Sequence, residues 1–244
     1  MRADQLLVER GLAATRSQAQ RLIASGVRWR ASAGWQGVHK NGEELPLDAQ
    51  LELLDASELR YVSRGGLKLE GALGECGLNV SGKRCLDVGQ STGGFTDCLL
   101  QHGASRVVGV DVGHGQLHDR LRNDPRVEAF EKLNARELTP DKVGSGFDLV
   151  TGDLSFISLT LVLPSLVPLL ARHGDLLMLV KPQFELQPGQ LGKGGIVTEP
   201  SLHAVVEQRI RACCEGLGLQ VRGWLQSGIA GGDGNREFFI HATP

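Results

Sequence analysis

The run Leu86-Asp87-Val88-Gly89-Gln90-Ser91-Thr92-Gly93-Gly94-Phe95-Thr96-Asp97 carries an apolar strand into glycines and straight on into a helix-like segment. That order makes a backbone cradle beside the positive end of a helix, where a nucleotide-like cofactor can sit. Dinucleotide folds use G-x-G-x-x-G, but here Ser91 stands where the second glycine would admit a pyrophosphate. A carboxylate-led loop with its glycines bunched at the far end suits S-adenosylmethionine (SAM), which has no phosphate to cradle. The candidate contacts are Asp87, Gly89, Ser91, Thr92, Gly93, Gly94 and Phe95.

Four polar residues elsewhere follow apolar runs. Asp111 ends Arg106–Val110, where a carboxylate accepts hydrogen bonds from ribose hydroxyls. Asn134 ends the next apolar run, either as a reader of an adenine edge or as a turn residue. Asp153 follows Phe147–Gly152, and Lys181 follows Leu176–Val180. A charge directly after a buried strand must find a partner or line a cleft. A partly desolvated lysine is a candidate general base near neutral pH, although a lysine snorkelling from a strand end is common. Gly89, Asp111, Asn134, Asp153 and Lys181 are expected at one sheet edge.

The elements that must position them alternate from Arg84 onward. Residues 84–89, 106–112, 127–133, 147–151, 176–180 and 219–225 read as buried strands, and 236–241 as a last strand beside the edge. Residues 94–102, 117–123, 159–170 and 202–217 read as helices. This alternation predicts a Rossmann-like α/β fold with a mostly parallel sheet and helices on both faces. A helix over Leu67–Cys76 ends at Gly77, and Glu58–Gly66 reads as a joint between domains.

The 244 residues hold one large domain or a domain with a small appendage, and a net charge of −2 hides a local bias. Met1–Gly42 carries seven basic residues (Arg2, Arg10, Arg16, Arg21, Arg28, Arg30, Lys40) against Asp4 and Glu9. The alternatives are a solvated face and a polyanion-binding module. Thr15–Gly26 is a capped helix whose apolar stripe (Ala19, Leu22, Ile23) turns Arg16, Gln20 and Arg21 outward. With the short helix before it and the turn-punctuated sequence to Asp55, it forms a compact α+β module. The five cysteines include no C-x-x-C, which predicts free thiols in a reducing compartment and no zinc. No apolar run is long enough to span a membrane, and no signal peptide is evident, so a cytoplasmic protein is expected. His114 and His118 have a metal-compatible spacing but no third ligand, so no metal is expected.

The stretch D-Q-L-L-V-E-R-G-L-A-A-T-R-S-Q-A-Q-R-L-I-A-S-G, with Lys40-Asn41-Gly42 later, resembles the S-four RNA-binding domain. That resemblance implies phosphate contacts from Arg16 and Arg21. Trp29-Arg30-Ala31-Ser32-Ala33-Gly34-Trp35 departs from the family's valine-rich strand and hairpin. Its tryptophans either close a small core or stack on a base.

Farther on, Y-V-S-R-G-G-L-K-L, D-V-G-Q-S-T-G-G-F-T-D, V-D-V-G-H-G-Q-L, D-L-S-F-I-S-L, L-V-K-P-Q-F-E and G-N-R-E-F-F-I-H recur in an order that resembles the TlyA (haemolysin A) family. In that family an S-four domain is joined to an FtsJ-type ribosomal RNA 2′-O-methyltransferase. The resemblance spans essentially the whole chain. It implies an RNA-binding domain over 1–60, a linker over 61–66 and a methyltransferase domain over 67–244. The methyltransferase sheet is expected to have seven strands, the last antiparallel. The catalytic Lys-Asp-Lys-Glu tetrad falls on Lys68, Asp153, Lys181 and Glu237. Ser63, Arg64 and Gly65 join the cofactor contacts, and Lys193 in the Gly192–Gly195 loop becomes a candidate RNA contact. Gln90 stands where the family usually has alanine. The implied activity is SAM-dependent methylation of a cytidine 2′-hydroxyl in ribosomal RNA, without metal or membrane. Rival readings are a cytolysin, a non-catalytic RNA-binding protein that keeps the fold, and a nicotinamide-dependent dehydrogenase.

Overall fold

The computed structural model describes residues 1–32, 34–55 and 59–244, so Ala33 of the tryptophan stretch and Glu58 of the expected joint lie outside the described residues. The chain divides into two compact units, Met1–Tyr61 and Val62–Pro244.

The first unit has two helices, α1 (Ala3–Glu9) and α2 (Arg16–Gly26), and the strands β1 (Val27–Ala31), β2 (Gly34–Gly37) and β3 (Leu51–Leu53). Thr15 caps α2 by accepting the Gln18 N–H. The strands form an antiparallel sheet in the order β2-β1-β3. Leu6 and Leu7 of α1 pack with Ala19, Leu22 and Ile23 of α2 and with Val27.

One expectation is corrected here. Asp4 is fully buried, and its Oδ2 accepts from Arg2 (3.1 Å), Arg16 (3.0 Å) and Gln20 (3.1 Å). Arg16 and Gln20 therefore turn toward α1 instead of simply facing outward. The Arg2 hydrogen bond first, then those from Gln20 and Arg16, holds the Asp4 carboxyl far below the usual carboxylate range against the cost of burial. Part of the basic excess thus neutralises a charge inside the module, although the Arg16 side chain stays 55% exposed.

In the second unit α3 (Gly65–Cys76) precedes seven strands, β4 (Arg84–Val88), β5 (Arg106–Val110), β6 (Val127–Phe130), β7 (Phe147–Asp153), β8 (Leu170–Val180), β9 (Gln220–Gln226) and β10 (Phe238–Thr243). Their order is β6-β5-β4-β7-β8-β10-β9. Strands β4 to β8 pair in parallel, and β10 runs antiparallel to both neighbours. The strand cores are fully buried: Leu86, Val88, Val108, Val150, Leu176 and Met178 join one cluster with Ile210 of the long helix Pro200–Gly216.

The expected helix 159–170 is broken. It consists of a 3₁₀ turn at Leu159–Leu161, a helical turn at Leu163–Leu166 and another 3₁₀ turn at Val167–Leu169. Pro164 and Pro168 each lack the N–H that a continuous helix needs. Strand β8 in turn begins six residues before the expected Leu176. The expected linker also joins the fold, because Val62 N–H donates to Asp97 Oδ2 at 2.9 Å and α3 already starts at Gly65. Among the described residues no helix is long and apolar enough to cross a membrane.

Candidate active site

After β4 the chain builds β5 and β6 on one side, then returns to place β7 on the other side of β4. The crevice of such a sheet opens at this reversal, outside the carboxyl ends of the strands. Gly89, Asp111, Asp153 and Lys181 sit there, at or just beyond the ends of β4, β5, β7 and β8. Strand β10 runs the other way, so its amino end shares this edge. Phe238 lies opposite Val180, which sets Glu237 next to Lys181 in the extended register.

The glycine cradle is sterically required. Gly89 has φ +84°, and a Cβ there would lie 2.6 Å from the Asp153 carbonyl oxygen. Gly93 has φ +95°, and its Cβ would meet Leu121 Cδ1 at 2.3 Å. On Gly94 a Cβ would fall 2.1 Å from Ser63 Oγ, which explains how closely the Ser63–Gly65 segment approaches the start of the helix Gly94–Gln101. Ser91 adopts a left-handed backbone (φ 48°), uncommon outside glycine. It is held there because its N–H donates to Asp111 Oδ2 (2.7 Å) and its hydroxyl to Gln116 (3.1 Å).

Two connected compartments line the edge. One, of about 170 Å³, is bounded by Ser63, Gly65, Gly89–Thr92, Gly94, Phe95, Asp153, Ser155 and Lys181. The other, of about 300 Å³, is bounded by Asp111, Gln116, Phe156 and the apolar Val110, Val112, Leu133, Ala135 and Leu154. Gly89, Ser91, Asp153 and Ser155 border both. Such a cleft suits SAM, with an apolar slot for an adenine, a carboxylate for ribose hydroxyls and polar groups for the methionine part. Asp111 keeps acceptor capacity for this, since its two oxygens accept one backbone N–H each, from Ser91 and Gly113.

Beneath the cradle Asp87 is completely buried. Its Oδ2 accepts the Thr96 N–H and hydroxyl, while Oδ1 has no partner among the described residues. Burial pushes the carboxyl up to about 7 against those hydrogen bonds, with a smaller push from Asp153 and Asp111. Asp87 lines neither compartment, so it supports the cradle through Thr96 and not by touching a ligand. Gln90 completes the support. Its amide donates to Thr96 Oγ1 at 2.9 Å and fills the space over Gly109, where a Cβ would sit 2.0 Å from it.

The four tetrad positions form two ion pairs. Lys68 Nζ lies 2.5 Å from Glu237 Oε2, with side chains 7% and 3% exposed. Lys181 Nζ lies 2.6 Å from Asp153 Oδ1 and donates to Ser155 Oγ at 2.8 Å. Among the described residues Ser155 is its hydrogen-bond partner, whereas the Asp153 contact is an ion pair alone, since Asp153 Oδ1 has no hydrogen-bond partner there. The loop after Asp153 is itself pinned by the buried Glu185, which accepts from Ser158 Oγ and Leu159 N–H, both at 2.6 Å. Thus the D-L-S-F-I-S-L and L-V-K-P-Q-F-E segments brace one another.

Other candidate contacts lie outside the lining of the two compartments. Asn134 Oδ1 caps the next turn by accepting from Arg136 N–H, and its neighbours Leu133 and Ala135 line the cleft instead. Arg64 precedes α3 and lies near Gly232. Lys193 is exposed on a 3₁₀ turn of a loop tied down by Asn235, whose amide donates to the Gly195 carbonyl and accepts from Val197 N–H. His114 pairs with Glu131, and His118 caps a short helix. Sequence reasoning passed over Ser155, Gln116 and Glu185. Ser155 stood in view in D-L-S, whereas the other two depend on contacts distant in sequence.

A sheet with this strand order, a glycine cradle at its reversal and an antiparallel final pairing define an α/β methyltransferase fold. The family model for FtsJ-like methyltransferases matches residues 61–243. The 16S/23S rRNA (cytidine-2'-O)-methyltransferase TlyA of Mycobacterium tuberculosis is 46% identical over 239 residues, 98% of this chain and 88% of that protein. A solved protein of Streptococcus thermophilus that carries the name hemolysin superposes with a TM-score of 0.76 at 43% identity, covering 99% of this chain and 87% of the other. Aeropyrum pernix fibrillarin, solved with SAM bound, shares the fold with a TM-score of 0.53 at 19% identity over 75% of this chain and 76% of its own. The chain belongs to the FtsJ-like methyltransferase family, in its TlyA branch.

Proposed function

We propose that the protein methylates a cytidine 2′-hydroxyl of ribosomal RNA with SAM, using Lys68, Asp153, Lys181 and Glu237. The observation that carries this reading is the convergence of two lysine–carboxylate pairs on the sheet edge beside the glycine cradle. SAM supplies a methyl group already activated by its sulfonium, so the protein's work is positioning and proton handling. Asp153 and Ser155 fix the Lys181 amine at the cleft. Lys181 takes or shares the 2′-hydroxyl proton as the oxygen becomes a nucleophile. The Lys68–Glu237 pair orients that hydroxyl from the β10 side. Asp111 would hold the cofactor ribose, and Ser63, Gly65 and Thr92 would line the place of the methionine part. No step requires a metal.

Phe156 is 89% exposed in a left-handed backbone (φ 63°), with its ring 5.1 Å from that of Phe184. An exposed aromatic at the cleft gives an unstacked target base a surface. The Met1–Tyr61 unit serves as an S-four-like RNA-binding module in which Arg16 and Arg21 meet phosphate, and Lys193 adds a contact from the second unit. Such a reaction belongs in the cytoplasm. The test is transfer of labelled methyl from SAM to ribosomal subunits, with the modified positions mapped as hydrolysis-resistant 2′-O-methyl nucleotides. Label on base or protein alone, or binding of NAD in preference to SAM, overturns the reading.

A further inference from the structure

Strand alternation separates the two tryptophans of the first unit. Trp29 packs against the module's core, whereas its neighbours Arg28 and Arg30 lie on the other face of β1. Trp35 is directly opposite Arg30 across the β1–β2 pairing, on that outer face. Its indole is 38% exposed, with the Arg28 guanidinium carbon 4.9 Å and that of Arg30 5.8 Å from the ring centroid. Strand β2 is the sheet edge, and the next residue of β2 on the outer face is Gly37. The His39 imidazole lies over Gly37, 3.2 Å from where a Cβ would stand, so a ring from the following loop covers that position.

The two arginines differ. Arg28 is spent on Glu52, to which its Nε donates at 2.7 Å. Arg30 is exposed and has no carboxylate partner among the described residues. Trp35 itself lines a groove of about 570 Å³ whose polar residues are Arg10, Asp48, Gln50 and Glu52 and whose apolar ones are Leu12, Ala49 and Leu51. Acids there disfavour a phosphate but accept hydrogen bonds from the amino edge of a base.

We propose that the outer face of the β1–β2 hairpin holds an unpaired RNA nucleotide, its base stacked on Trp35 and its phosphate at Arg30. Bases inside a double helix have no free face, so only an unpaired nucleotide fits an indole flanked by guanidinium. The proposal rests on the ribosomal RNA reading and adds to it a second contact, in the other unit from the methyl-transfer site.

The test uses the full chain with Trp29→Phe and Trp224→Phe, so that Trp35 alone fluoresces. A single-stranded RNA oligonucleotide should quench it saturably, and a fully paired RNA hairpin should quench it little. In the otherwise natural chain, Trp35→Ala should weaken single-stranded RNA binding about tenfold, within the range for loss of one stacked base. Trp35→Phe should recover most of that loss, and Arg30→Ala should lower the log–log salt slope by about one unit. An unquenched Trp35 in bound RNA, or unchanged affinity of Trp35→Ala, overturns the proposal. Quenching by whole subunits but not by naked RNA also overturns it, because the surface then meets ribosomal protein. Methyl transfer by the natural chain is measured alongside. Transfer without quenching removes the stacking site alone, and quenching without transfer removes the methyltransferase reading alone.

Discussion

The two lysine–carboxylate pairs have nearly the same length and opposite surroundings. Lys68–Glu237 is sealed between α3 and the start of β10, while in Lys181–Asp153 the side chains are 12% and 25% exposed and Lys181 reaches the cleft. A sealed pair cannot give up one member cheaply, because the other becomes an uncompensated charge in a poorly solvated place. A pair at a cleft can be resolvated when one member is lost. The comparison divides the tetrad into a sealed pair, rigid enough to orient the hydroxyl and costly to break, and an open pair that is free to move its proton.

The largest expected effect comes from breaking the sealed pair. Glu237→Ala should destabilise the fold by about 3–5 kcal/mol, the range for a broken buried ion pair, and Lys68→Ala should do likewise. The double replacement Lys68→Met with Glu237→Leu removes both charges and should be markedly more stable than either alanine variant. Asp153→Ala, by contrast, should cost about 1 kcal/mol or less in stability. Urea unfolding of the four variants checks this, and equal losses at Glu237 and Asp153 would erase the distinction.

Next in size is the chemical effect at the open pair. Lys181→Ala should keep its fold and SAM affinity yet lose methyl transfer by at least ~100-fold, the lower range for a general base. Lys181→Arg should restore little, since a guanidinium stays charged and cannot accept a proton. Single-turnover transfer to ribosomal subunits is the measurement. Near-normal transfer by Lys181→Ala would move the base to Glu237 or a water and reverse the roles of the pairs. On the cofactor side, Asp111→Ala should weaken SAM binding by about 1.5–3 kcal/mol, the worth of a hydrogen bond to a charged group. Calorimetry that finds natural affinity would leave ribose without its expected partner.

The difference between the pairs also marks what the amino-acid sequence can reveal. Lys181 and Asp153 were legible because each is a charge at the end of an apolar run, and parallel strands bring such ends to one edge. Glu237 follows no apolar run. Its arrival there depends on β10 pairing antiparallel with β8, a fact about topology that only the family resemblance supplied. The same holds at smaller scale. An asparagine after a strand reads alike whether it meets a ligand or caps its own turn, and Asn134 is placed as the cap. Arg16 reads as an outward charge until Asp4 is found buried one helix away. Gln90 looked like a misfit in the cofactor loop, yet it fills the hole that Gly109 leaves. Local pattern specifies elements and edges well, whereas pairing across long sequence separations stays hidden from it.

A third pair supplies the control. His241 Nε2 lies 2.8 Å from Asp175 Oδ1, with side chains 12% and 14% exposed, and neither residue lines the cleft compartments. The hydrogen bond to Asp175, then one to Cys76, raises the imidazole to about 9 against the cost of burial. Lys83 is the other charge on Asp175, at 3.6 Å. An unfolded histidine titrates near 6.5, so the native state binds the extra proton more tightly. The resulting stability is fully present below about pH 6.5 and disappears as the pH rises through about 9. The lowered Asp175 carboxyl adds stability above its unfolded value and loses it only in acid, outside this window. From pH 6 to 9 the natural protein should therefore lose about 3 kcal/mol that His241→Gln does not lose. SAM affinity at pH 7.5 should be the same for both. Denaturant midpoints across that range check the first statement and calorimetry the second. A flat profile in the natural protein would mean that the Asp175 contact does not hold the proton. A SAM affinity that moved with His241 would mean that ion pairs at the far end of the sheet feed into the cleft, and exposure alone would no longer separate architecture from chemistry.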